Sequence, residues 1–159
     1  MFARDIMTHE VISICPTATI RDAARLLSDY NISGAPVIDR EGRMVGIVTQ
    51  ADLISKEGET VRDIMTEKVV VVREHTPVDR IAQILTSNRF KRVPVVRDER
   101  VVGIVSRADI VRMMASRWVC PVCGEIQHGR MPDVCYSCGA DGSRFERELE
   151  PRPEITTRQ

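Results

Sequence analysis

The chain has 159 residues, its 23 Lys/Arg balance its 23 Asp/Glu, and 43% of it is hydrophobic but only 4% aromatic. That length holds one main domain and a small accessory module, and the core must be mostly aliphatic. No apolar stretch follows the charges of residues 1–10, and none approaches the length of a bilayer span. A secreted or membrane protein is therefore not expected; a soluble, cytoplasmic one is.

The charge is unevenly spread. Residues 1–117 carry 18 Lys/Arg and 16 Asp/Glu, whereas residues 118–150 carry three arginines and six acids. Phosphate backbones are bound by clustered Lys/Arg, so the acidic C-terminal segment argues against a nucleic-acid partner.

Residues 11–14 are a β-branched run that predicts a strand. Ile20, Ala23, Ala24 and Leu27 follow at i, i+3, i+4, i+7 and predict an amphipathic helix. Two apolar runs around the charged turn at residues 39–42 predict a hairpin, and its second strand leads into another helix at Thr49. The pattern then returns: a run at 69–72, a stripe of Val78, Ile81, Ala82 and Leu85, a hairpin about residues 97–100, and a helix from Ser106. Motifs repeat with it. Asp5-Ile-Met-Thr8 recurs as Asp63-Ile-Met-Thr66, Ala35-Pro-Val-Ile38 as Val93-Pro-Val-Val96, and the Gly-Ile-Val-Thr/Ser-x-Ala-Asp run ending at Asp52 recurs ending at Asp109. Each copy thus reads β-α-β-β-α. Neither is large enough to bury both faces of its helices alone, so the two copies are expected to pack together. Residues 55–60 connect them.

Thr49-x-x-Asp52 and Ser106-x-x-Asp109 sit where strand becomes helix. One reading is a capping box; another adds a phosphate at the positive helix start. Cys15 reads as a small buried hydrophobe, and no nucleophile–base pairing or phosphate-cradling glycine loop points to catalysis.

The duplicated motifs resemble a tandem pair of cystathionine-β-synthase (CBS) domains, a Bateman module. The resemblance implies an α+β fold with copies at residues 1–58 and 59–117, dimerisation through helices, and adenosine-containing ligands such as AMP or ATP in clefts between the copies. It assigns ribose hydroxyls to Asp52 and Asp109, phosphate to Thr49 and Ser106, and further contacts to Ala35, Pro36, Thr76, Arg92, Val93, Pro94 and Arg107. Because Arg89, Lys91, Arg92 and Arg107 belong to the second copy, a charged nucleotide is expected to prefer the cleft of Ser106 and Asp109.

Cys120, Cys123, Cys135 and Cys138 form two C-x-x-C pairs, each followed by a glycine, and can bring four thiolates to one tetrahedral ion. With Trp118, the His128-Gly129 approach, Pro132 and the closing Phe145-Glu146, they resemble the rubredoxin-like module of rubrerythrins over about residues 118–148, and the domain is expected to span residues 118–150. The ligand set accepts iron or zinc. Two functions follow. In one, the module is a one-electron carrier with a redox partner protein, and the CBS pair binds an adenosine nucleotide. In the other, a structural zinc ribbon docks a partner beside a nucleotide sensor. Residues 151–159 are expected to be a disordered tail.

Overall fold

The computed structural model describes residues 1–129 and 131–148; the tail expected to be disordered lies outside them. The first repeat contributes α1 (Ala3–Ile6), α2 (Ile20–Asp29), β1 (Gly34–Ile38), β2 (Met44–Thr49) and α3 (Gln50–Ser55). The second contributes α4 (Val61–Ile64), α5 (Val78–Ser87), β3 (Arg92–Arg97), β4 (Arg100–Ser106) and α6 (Arg107–Ala115). Three short strands follow, β5 (Arg117–Val119), β6 (Ile126–His128) and β7 (Glu146–Arg147). The chain divides into two compact units, Met1–Ile110 and Val111–Gln159. Among the described residues no helix is long and apolar enough to cross a membrane.

The helical stripes form as the 3.6-residue period requires. Ala23 and Leu27 of α2, and Val78, Ile81 and Leu85 of α5, are buried. Burying a side chain such as Ile81 or Leu85 contributes about 1.5–3 kcal/mol. Both helices end on a residue in the left-handed region, Asn31 at φ 50° and Arg89 at φ 55°, which turns the chain into the following strand.

The predicted strands at 11–14 and 69–72 do not form; each is reduced to one parallel bridge, Ile14 to Val37 and Val72 to Val95. Prolines explain the truncation. Ile14 donates to the Pro36 carbonyl and accepts from Ile38, and Val72 does the same with Pro94 and Val96. The next donors along those ladders would be Pro36 or Pro94 on one side and, in the first copy, Pro16 on the other. None of them has an N–H. The same alternation that buries Ile14 turns Cys15 outward, so Cys15 is exposed and not the buried thiol expected.

The D-I-M-T motifs form α1 and α4, two one-turn helices that the hydrophobic periodicity does not reveal. Asp5 accepts from the Phe2 N–H at 2.7 Å and Asp63 from the Thr60 N–H at 2.8 Å, closing each turn. The two copies then exchange these segments. Thr8 bridges to Ile104 in β4, and Thr66 bridges to Ile47 in β2. One core accordingly joins Ala3 and Met7 to Val72, Ile81, Leu85, Val93, Val95 and Val105. The other joins Ile14, Ala23, Val37 and Val48 to Val61, Ile64 and Met65. Each core needs residues from both repeats.

In the second unit β5 pairs antiparallel with both β6 and β7. Its small core is Cys120, Cys135 and Phe145, with Trp118 and Ala140 against them.

Candidate metal centre and nucleotide cleft

In the second unit, the two knuckles carry the cysteines. The Gly124 N–H donates to the Cys120 carbonyl and the Gly139 N–H to the Cys135 carbonyl, both at 2.9 Å. The glycines lie at φ 75° and 73°, and a Cβ on either would meet nothing within 4 Å. Glycine is required there by the backbone alone. The reversal aims the next N–H groups at sulfur: Glu125 donates to Cys123, and Ala140 to Cys138. Ser137 donates to Glu125 at 2.9 Å and ties one knuckle to the other.

The four Sγ atoms lie within 4.8 Å of one another. The pairs Cys120–Cys138 and Cys123–Cys135 are 3.7 and 3.6 Å apart. A tetrahedral ion with bonds of about 2.3 Å to sulfur needs edges of about 3.8 Å, so the set fits one such ion. As thiols they ionise unevenly. Burial raises Cys120, but the Cys123 and Val122 N–H groups and the neighbouring sulfurs bring it down to about 7. Cys123 receives the Glu125 N–H, yet burial and the other sulfurs push it up to about 12. Deprotonation of Cys123 is therefore favoured by a cation among the sulfurs. Cys120 and Cys135 are buried, whereas Cys123 and Cys138 are exposed.

In the first unit a cleft of about 360 Å³ opens beside β2 and α3. Its lining includes Thr49, Gln50 and Asp52, Lys68, Val69 and Val70, and Arg89 to Arg92 with Pro94. The Asp52 carboxylate accepts from the Thr49 N–H at 2.9 Å and from the Thr49 hydroxyl at 2.7 Å, and Lys56 Nζ lies 2.7 Å from its other oxygen. Burial pushes this carboxyl up; the Lys56 and Thr49 hydrogen bonds outweigh it and hold it below its usual range. Ser106 and Asp109 repeat the cap, at 2.7 Å from N–H and 2.6 Å from hydroxyl. In both pairs the hydroxyl proton is committed to the aspartate, and α3 is only six residues long with its Gln50 N–H already donated to the Ser33 carbonyl. The capping reading accounts for these contacts, and positive charge for a phosphate has to come from side chains.

Arg89, Lys91 and Arg92 of the second copy line the cleft of Thr49 and Asp52 in the first. Arg92 donates to the Gly34 carbonyl at 3.1 Å and to the Ser33 hydroxyl at 3.0 Å, across to the first repeat. Burial lowers its pKa and the Asp109 charge opposes that. Arg107 is turned to the Leu85 carbonyl at 3.1 Å. Thr76 lies outside the cleft lining; its hydroxyl accepts from the Arg73 N–H at 3.0 Å and its carbonyl from the Ala3 N–H at 2.9 Å. Ala35, Pro36 and Val93 are core residues outside the lining, and of that group only Pro94 reaches it. Lys56 and Lys68 went unrecognised in the sequence. For Lys56 the signal is its i+4 spacing from Asp52; for Lys68 none exists without the exchange of segments.

The CBS domain model matches residues 3–59 and 61–116, and the model of the rubrerythrin rubredoxin-like domain matches residues 118–146. The chain is similar to inosine-5'-monophosphate dehydrogenase of Methanocaldococcus jannaschii, with 34% identity over 148 residues. That match takes in 91% of this chain but only 28% of the relative. Solved structures agree on the fold. The CBS domain pair of protein MJ0100, in complex with 5'-methylthioadenosine and S-adenosyl-L-methionine, is 34% identical with a TM-score of 0.68, covering 72% of this chain and 96% of that one. CBSX2 of Arabidopsis thaliana, in complex with AMP, is 31% identical with a TM-score of 0.69 and the same coverage. With family matches over most of its length and this shared fold, the chain belongs to the CBS-domain family, as a tandem pair followed by a rubredoxin-like domain.

Proposed function

We propose that this protein is an adenosine-nucleotide-binding CBS pair whose rubredoxin-like domain holds iron and carries single electrons between protein partners. The observation that carries the electron-transfer reading is the exposure of Cys123 and Cys138 in a four-sulfur set sized for one ion. Iron in four thiolates supplies a one-electron couple at nearly constant geometry. The chain's part is to fix the sulfurs, direct backbone N–H groups at their charge, and leave two of them at the surface. An electron taken from a reduced donor protein is passed to an oxidised acceptor, with no bond made or broken.

The cleft supports the second half of the reading. Ile47, Val69, Val70 and Phe90 give it an apolar part suited to a purine. Asp52 accepts ribose hydroxyls, and Lys68, Arg89, Lys91 and Arg92 supply the positive charge for a phosphate. Relatives about a third identical bind AMP, S-adenosyl-L-methionine and 5'-methylthioadenosine. Dimerisation through the helices belongs to the same reading, and Ile54 of α3, 86% exposed, offers apolar surface for it.

The test is a visible spectrum of the purified protein with metal analysis, before and after dithionite. Thiolate-to-iron bands that bleach on reduction and return in air support electron transfer. A colourless protein with one zinc per chain overturns it and leaves the domain a structural ribbon.

A further inference from the structure

We propose that Lys56 is a positioning residue for the nucleotide cleft: from behind the binding surface it holds the Asp52 carboxylate fixed and charged for the ribose hydroxyls. The inference rests on the adenosine reading of the cleft given above.

Lys56 is the residue just past α3, and its side chain is 42% exposed. A lysine in that setting ordinarily trails in water, because fixing its four-carbon stem costs rotamer entropy. Here the ammonium has two fixed partners. It lies 2.7 Å from Asp52 Oδ1 and donates to the Ile64 carbonyl at 2.9 Å. Ile64 closes α4 and is fully buried in the core formed with the first repeat. The carbonyl is therefore an immobile anchor, and Lys56 ties Asp52 to it.

The position matters as much as the charge. Asp52 lines the cleft and Lys56 does not. Thr49 N–H and Oγ1–H both donate to Oδ2, and Lys56 to Oδ1. Of about four lone-pair sites on a carboxylate, three are used, and one on Oδ1 is left for a ligand hydroxyl. The bases lining the cleft, Lys68, Arg89, Lys91 and Arg92, come from other segments and also act on the Asp52 charge. Among the described residues Lys56 is the cation paired with it. At the equivalent place in the second repeat, four residues after Asp109, stands Met113, which carries no charge.

Calorimetric titration of the full chain with AMP between pH 5 and pH 8 tests this, comparing wild type with Lys56→Met, Lys56→Gln and Lys56→Arg. The AMP phosphate titrates alike in all of them, so the affinity ratio to wild type reports the protein group. A charged hydrogen-bond partner removed from the binding carboxylate should weaken AMP by about tenfold at pH 7. The ratio should widen toward pH 5, because Asp52 without its ammonium takes up a proton at higher pH. Lys56→Arg should restore affinity to within about threefold, and Lys56→Met should have no further effect on an Asp52→Asn background. Lys56→Gln removes the charge but keeps a polar head, and stands in with the same expected loss where the methionine variant does not fold. A pH-independent ratio, a Lys56→Arg variant as weak as Lys56→Met, or unchanged affinity overturns the inference alone. No AMP binding by the wild type overturns the cleft reading and the inference with it.

Discussion

Met7 and Met65 hold the same place in the two D-I-M-T motifs. Met65 packs over Gly46 and Met7 over Gly103, so the methionine of each D-I-M-T motif and the glycine of the opposite G-I-V motif are two halves of one contact. The two sites differ in what an added methyl meets. At Gly46 it lies 2.9 Å from the Thr66 carbonyl oxygen as well as from Met65 Sδ, whereas at Gly103 the three nearest atoms all belong to the Met7 side chain. A flexible thioether yields and a bridged backbone does not. Gly46→Ala is therefore expected to cost about 2–3 kcal/mol and Gly103→Ala distinctly less, read from urea midpoints at constant m-value.

Titration acts at the same scale. Asp22, Asp39, Asp63 and Glu74 are held below their ordinary values by the Thr19 hydroxyl, the Arg43 N–H, the Thr60 N–H and the Arg97 guanidinium respectively. Asp52 is held down as well, its hydrogen bonds outweighing its burial. Folded values lie below unfolded ones, so these groups add stability above the ordinary 3.8 and 4.5 that is lost as pH falls through the lower folded values. The urea midpoint of the CBS pair should be flat from pH 7 to 5 and fall between about pH 4.5 and 2.

The hairpin β3–β4 turns through Asp98 and Glu99 alone, at φ 49° and 64°. Two residues in the left-handed region match a type I' turn, which Asn-Gly fits best. Glu99→Gly is expected to stabilise the protein by about 0.5–1 kcal/mol, measurable as a rise in Tm. The hairpins and helices were legible because their hydrophobic periods are local properties of the chain. The runs at 11–14 and 69–72 misled for a local reason too. Their β-branched residues favour extension, but a ladder also needs donors on the partner, and Pro36 and Pro94 have none. α1 and α4 escaped notice because one turn is too short to show a period.

The first unit holds together by exchange, which makes its two repeats one cooperative body. Met7 is 8% exposed and sits in the core made by the second repeat. Met7→Ala should cost about 2–4 kcal/mol, the range of large-to-small changes in buried sites. Amide exchange should accelerate first in β3 and β4, not in the β1–β2 hairpin nearer in sequence.

The sequence by itself determined the duplication, the elements with a clear period and the four cysteines as one ligand set, and it placed Thr49-Asp52 and Ser106-Asp109 where strand becomes helix. All of these depend on spacing along a short stretch of chain. Tertiary structure decided that basic side chains of the second copy reach the cleft of Thr49 and Asp52. Arg89, Lys91 and Arg92 read as neighbours of Ser106, yet they line the cleft of Thr49 and Asp52 together with Lys68. The exchange of the D-I-M-T segments brings residues 66–70 to the first hairpin, and Arg92 bonds across to Ser33 and Gly34. Charge on a short segment is visible in its letters; the surface it faces is set by which long-range contacts bury the most apolar area, and no local pattern records that.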